Sequence, residues 1–172
     1  KPIYMKKLFL LELFCLILLS APIFGQIVDK SKFSKNEGFF TFYTDEDKGK
    51  IYLEVDKLDF EFLYVNSMPA GIGSNDIGLD RGQLGRTRIV EFRKAGNKLL
   101  LVHKNYEFRA YSDNPSEVKS VRDAFAESVL WGFEISNTEG GKYLVDATNF
   151  YMQDAHMVGE KLGSARQGTY KP

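Results

Sequence analysis

Lys50-Ile51-Tyr52-Leu53-Glu54-Val55-Asp56 alternates without a break. Ile51, Leu53 and Val55 fall on one side of an extended chain, and Tyr52, Glu54 and Asp56 on the other. Successive side chains of a strand point to opposite faces, so this period of two predicts a half-buried β-strand. Just before it, Asp45-Glu46-Asp47-Lys48-Gly49 has turn chemistry, with a glycine available for positive φ. Before that, Gly38-Phe39-Phe40-Thr41-Phe42-Tyr43-Thr44 is rich in residues that favour strands. Together they predict a β-hairpin with a five-residue loop. A hairpin, unlike a strand–helix–strand unit, builds an antiparallel sheet.

The same pattern continues down the chain. Residues 60–66 read as a third strand, apolar on both faces at Phe62, Leu63, Tyr64 and Val65, and therefore expected to be central. Residues 87–93 and 98–103 flank Lys94-Ala95-Gly96-Asn97 as a second hairpin. Leu99-Leu100-Leu101-Val102 has no polar face, which predicts cover on both sides. Residues 106–111 suggest a further short strand after a kink at Asn105. Residues 114–130 predict one long helix: Asn114 suits the cap, Pro115 the first helical position, and Glu117 a box-like start. Its Val118, Val121, Phe125 and Val129 recur near the helical period and predict one buried stripe. Trp131, Phe133 and Ile135 then alternate as a strand. Asn137-Thr138-Glu139-Gly140-Gly141 is a third hairpin turn, and residues 143–147 return from it. Asp154 is placed to cap a C-terminal helix from Ala155 to about Arg166, with Val158 and Leu162 on one face. The expected class is α+β: a mainly antiparallel sheet of seven or eight strands with one long helix and a C-terminal helix.

The N-terminus reads differently. Met5-Lys6-Lys7 is a basic start, residues 8–19 are an apolar run interrupted by Glu12, Ser20-Ala21-Pro22 ends the run, and a small residue, Gly25, stands before Gln26. That is the three-part layout of a secretory signal peptide, and the run is shorter than the roughly 20 residues that span a bilayer. Residues 1–25 are expected to be the signal, 26–37 a polar leader, and 38–172 a single domain. The expected location is exported: periplasmic, outer-surface or extracellular, with no membrane attachment after cleavage. The 23 basic and 23 acidic residues balance. Losing residues 1–25 removes three lysines and one glutamate, leaving 20 basic and 22 acidic, a balance of −2. A near-neutral chain of this kind argues against nucleic acid as a partner. The single cysteine, Cys15, lies in the expected signal and excludes an internal disulfide.

The most unusual stretch is Ala70-Gly71-Ile72-Gly73-Ser74-Asn75-Asp76-Ile77-Gly78-Leu79-Asp80-Arg81-Gly82-Gln83-Leu84-Gly85. It lacks the Gly-Lys-Ser/Thr of a phosphate loop and the spacing of a dinucleotide fingerprint. It also lacks the alternating acids and closing glutamate of a calcium loop. It reads as a structured surface loop. Its polar residues Asn75, Asp76, Asp80 and Arg81 are candidates for ligand or interdomain contact. His103 and His156 are 53 positions apart. His156 and Glu160 stand one helical turn apart, but zinc needs at least three protein ligands, and no third candidate is nearby. No Gly-x-Ser-x-Gly occurs. No catalytic residue, metal ligand or cofactor is therefore assigned within this chain.

Several of these segments, taken in order, resemble a known family. They are Gly38-Phe39-Phe40-Thr41-Phe42-Tyr43, Glu61-Phe62-Leu63-Tyr64-Val65-Asn66-Ser67, the glycine-dense run from Gly71 to Gly85, Ser112-Asp113-Asn114-Pro115, Ser128-Val129-Leu130-Trp131-Gly132-Phe133 and Val145-Asp146-Ala147-Thr148. The sequence resembles the N-terminal domain of unknown function, of the DUF5117 type, in large exported bacterial zinc-dependent metalloproteases. The likeness covers about residues 37–170. It implies a longer protein whose downstream domain carries zinc on a His-Glu-x-x-His helix, with the glutamate as general base. No position here matches that motif, so none of the family's catalytic residues carries over. The expected role is a non-catalytic domain or fragment that packs on that downstream protease domain. The alternative is a free-standing secreted module that binds a glycan, peptide or partner through the loop of residues 71–85.

Overall fold

A computed structural model describes residues 28–73 and 75–170. The expected signal peptide lies outside the described residues. Among these, eight strands form one antiparallel sheet: β1 (Ser34–Asn36), β2 (Thr41–Asp45), β3 (Lys50–Val55), β4 (Phe62–Tyr64), β5 (Arg88–Ala95), β6 (Lys98–His103), β7 (Ser128–Glu139) and β8 (Lys142–Asp146). Their order across the sheet is β1-β2-β3-β8-β7-β6-β5-β4. Three helices accompany them: α1 (Pro115–Ala124), α2 (Thr148–Tyr151) and α3 (Val158–Ser164). The α+β class stands.

Local turn chemistry sets the hairpins. Glu139 pairs with Lys142 across Gly140 and Gly141, which both have positive φ (56° and 79°). Two consecutive left-handed residues are what a two-residue turn needs to match strand twist. In the first hairpin Asp45 pairs with Lys50, and its carboxylate accepts from the Lys48 amide at 3.2 Å. The central seam joins distant parts of the chain: on β3 and β8, Leu53 faces Val145 and Val55 faces Tyr143.

The inner face of the sheet carries Leu53, Val55, Val90, Phe92, Leu99, Leu101, Phe133 and Val145, closed by Ala147 and Phe150 around α2. The sheet curls toward closure. Phe40, just before β2, packs edge-on against Phe62 of β4 (5.2 Å) and Phe92 of β5 (5.4 Å). Phe150 plugs one end, edge-on to Phe133 (5.2 Å) and Trp131 (5.7 Å).

Several expectations are corrected. The alternating stretch is strand β3, but it is covered on both faces. Tyr43, Tyr52 and Leu144 form a second cluster on the outer face, packed by Val28 and Phe33. Phe33 stacks on Tyr52 at 5.3 Å. The stretch read as a polar leader therefore supplies both that cover and strand β1. Leu99, Leu101 and Val102 are buried, as the unbroken apolar run of β6 required. Strand β4 is not central. It is a three-residue edge strand paired only to β5, and Leu63 on its open face is 70% exposed. Residues 106–111 form no strand. The Asn105 side chain ties this segment locally instead, donating to the Phe125 carbonyl and accepting from the Glu107 amide.

The long helix stops at Ala124, because residues from Ser128 onward pair with β6 as β7, Ser128 opposite His103 and Val129 opposite Val102. The expected buried stripe does not exist: α1 buries no residue. The C-terminal helix begins at Val158 rather than Ala155. Asp154 still serves its start, accepting from the amides of Val158 and Gly159, both at 2.8 Å.

Candidate functional site

The glycine-rich excursion between β4 and β5 is a packed appendage. Met68 and Gln83, and Asn66 and Gly85, are joined by backbone hydrogen bonds of 2.9 and 2.8 Å. Leu79 is fully buried beneath it. At Gly71 the chain passes so close to residues 79–81 that a Cβ would lie 2.7 Å from the Leu79 carbonyl oxygen. The loop is fastened to the C-terminal segment: Lys161 Nζ donates to the Gly78 carbonyl (2.8 Å), and Asn66 Nδ2 to the Ala155 carbonyl (3.1 Å).

Asn75 opens a 3-10 turn, Asn75–Ile77. Asp76 and Arg81 are exposed, and Asp80 is half-buried. Among the described residues, no hydrogen bond or ion pair brings Asp76, Asp80 and Arg81 together. The Asp80 backbone is instead used locally, its carbonyl accepting from the Gln83 amide at 3.1 Å. Gly71 and Gly85 serve close approach of neighbouring chain, and Gly73, Gly78 and Gly82 supply positive φ.

A different place gathers chemistry. On β5, Arg88 continues the inner face beyond Val90. On β6, His103 continues it beyond Leu101. The register pairs Val90 with His103, and His103 with Ser128 of β7. These three side chains thus stand at the mouth of the curled sheet. They line a cleft of about 440 Å³ whose other walls include Arg86, Thr87 and Tyr106. Arg88 is also the shared wall of a smaller neighbouring cavity of about 180 Å³ against Tyr64, Leu130 and Phe150. Arg86 is paired with Glu107 at 3.2 Å. The Arg88 guanidinium has no carboxylate partner among the described residues, its hydrogen bond going to the Arg86 carbonyl at 3.4 Å. Burial, then the charges of Arg88 and Arg86, push the His103 imidazole below its ordinary pKa, with Glu107 opposing. Sequence reasoning missed this cleft. The hairpin register contained the signal, since it sets residues 88–90 beside 103–105.

Two charge networks on the outer face are structural in character. Glu54, only 6% exposed, accepts from Lys30 (3.0 Å), Lys142 (3.1 Å) and the Tyr43 hydroxyl (3.3 Å). Burial alone would raise its pKa, but the two ammonium groups prevail and hold it below the ordinary range. Glu91, equally buried, pairs with Arg93 and with Lys104 (3.5 Å), and both cations also reach Glu127, at 2.9 and 2.6 Å. Lys104 is thereby neutralised from behind the cleft. Among the described residues no three His, Cys, Asp or Glu side chains stand close enough to hold a metal ion. His156, before α3, has a buried Nε2 without a partner there.

Comparison with protein families gives two adjacent matches. The family described as Domain of unknown function (DUF5117) matches residues 82–171, more than half of the chain. The chain belongs to the DUF5117 family. A second family, Domain of unknown function (DUF5118), matches residues 22–71. The earlier likeness, drawn over residues 37–170, thus divides between two families. The DUF5117 segment holds β5 to β8 and the helices, and the DUF5118 segment holds β1 to β4. Most of the glycine-rich run falls between them. The two segments are not separate in space: β3 pairs with β8 and β4 with β5, and both contribute to the inner-face core. No curated protein and no solved structure matches the chain.

Proposed function

We propose that this chain is the exported, non-catalytic N-terminal domain or fragment of a zinc metalloprotease-like protein, and that it packs on a downstream catalytic domain. One observation carries the packing role: α1 has an apolar side that the described residues leave largely exposed. Val118, Val121 and Phe125 share that side by their spacing. Phe108 stacks on Phe125 at 3.9 Å, and both rings remain substantially exposed. Tyr111 is 90% exposed beside the helix start. Apolar surface gathered in this way marks an interaction face. The export and the protease context rest on the N-terminal pattern and the family resemblance described above. The non-catalytic reading rests on the lack of a His-Glu-x-x-His motif in the sequence. The alternative, a free-standing module binding through residues 71–85, has less support. None of the cavities described above is lined by Asp76, Asp80 or Arg81.

Two measurements test the proposal. The full chain supplied with zinc should show no chelator-sensitive peptidase activity, and robust cleavage would overturn the reading. The chain should also bind a hydrophobic dye, and the double variant Val118→Lys, Phe125→Lys should lose that binding while keeping its melting temperature. Dye binding unaffected by the double variant would remove α1 as the packing face.

A further inference from the structure

We propose that the cleft at the mouth of the curled sheet binds a small ligand bearing a tetrahedral oxyanion, phosphate or sulfate, with Arg88 and His103 as its principal contacts. The inner face of a curled sheet is apolar along its length, and its mouth is where a ligand can meet polar side chains without opening the core. Here the change is abrupt. Val90 and Leu101 are buried core residues, and the next inward-facing positions are Arg88 and His103. A guanidinium placed there without a carboxylate is unusual. Arg93, on the same strand, is held by two glutamates, and Arg86 by one. The planar fork of Arg88 suits phosphate oxygens. The Thr87 and Ser128 hydroxyls, which also line the cleft, can donate to the same group. The volume of about 440 Å³ lies within the range of small-molecule sites.

His103 gives the site a spectroscopic signature. The groups that face it are Arg86 just before β5, Arg88 at the start of β5, Glu107 from the segment after β6, and the uncharged Ser128 from β7. Burial and the two guanidinium groups together favour the neutral ring. An arriving anion offsets the guanidinium charge and favours the imidazolium. Binding should therefore raise the His103 pKa and draw a proton from solvent.

The test is an NMR titration of the full chain with inorganic phosphate, following the His103 ring and the Ser128 amide, with sulfate, acetate and chloride at matched ionic strength. Phosphate and sulfate should give saturable shifts and an upward movement of the His103 pKa. Acetate should act weakly and chloride not at all. Arg88→Gln should weaken phosphate binding by about tenfold or more. Lys98→Gln, at the opposite end of β6 and roughly 17 Å from His103, should bind as the parent does. His103→Gln, read through the Ser128 amide, provides a second variant should Arg88→Gln fail to fold, and it should also weaken binding. Shifts that never saturate, equal shifts with chloride, or full binding in folded Arg88→Gln or His103→Gln would each overturn the assignment.

Discussion

At the scale of single residues, the tightest constraints lie where backbone meets backbone. Gly71 has no room for a side chain, because the strand of loop it faces, residues 79–81, is itself pinned by the buried Leu79. Gly71→Ala should therefore cost about 1–3 kcal/mol, the range for forced overpacking, read as a lowered midpoint in urea unfolding. Glu54 is constrained by charge. Its carboxylate is more acidic in the fold than in the unfolded chain, so its contribution is complete at neutral pH. It is lost as pH falls below the ordinary glutamate value near ~4.3 and through the lower folded value. Glu54→Gln should destabilise by about 1–3 kcal/mol at pH 7, and the gap from the parent should close in acid. A gap that stayed constant from pH 7 to pH 3 would show that the ion pairs with Lys30 and Lys142 contribute nothing.

At the scale of elements, α1 and β4 show what local pattern conveys and what it does not. The capping signals of α1 are all realised: Asn114 accepts from the Ser116 amide at 3.0 Å, Pro115 starts the helix, and Glu117 bonds Ser112 and Asn114. Asn114→Ala should cost the helix about 0.5–2 kcal/mol. Because α1 buries no residue, the loss should appear as faster amide exchange in residues 115–124, with the global unfolding midpoint unchanged. The turns and most strands were legible because glycine positions and alternation act within a few residues. The burial of α1 was not, because an apolar stripe states only that a helix can be covered, not that this chain covers it. The edge position of β4 was equally hidden. Phe62 and Tyr64 face the core and Leu63 faces out, a choice made by pairing partners distant in sequence. The cleft lay in between. His103 and Arg88 were visible as residues, but their meeting depended on the register of a hairpin and on the curl of the whole sheet.

At the scale of the whole molecule, the two family segments make one sheet. A chain divided within residues 72–81 should therefore give two pieces that do not unfold cooperatively alone. Mixed or co-expressed, they should regain a single transition by circular dichroism. Cooperative unfolding of either isolated piece would show that its core is self-sufficient. The central seam also has a consequence for synthesis. Strand β3 finds its neighbour only when β8 has been made, about ninety positions later along the chain. At ribosomal speeds of roughly 5–20 residues per second, the nascent β1–β3 ribbon stands for about 5–20 s with one flank and its aromatic surfaces open. The β5–β6 and β7–β8 hairpins can zip from their own turns as they emerge, so the last hairpin made is the one that lets the first strands settle. During that interval the newborn chain is most exposed to capture by a chaperone, or by the unfinished ribbon of a neighbouring polysome.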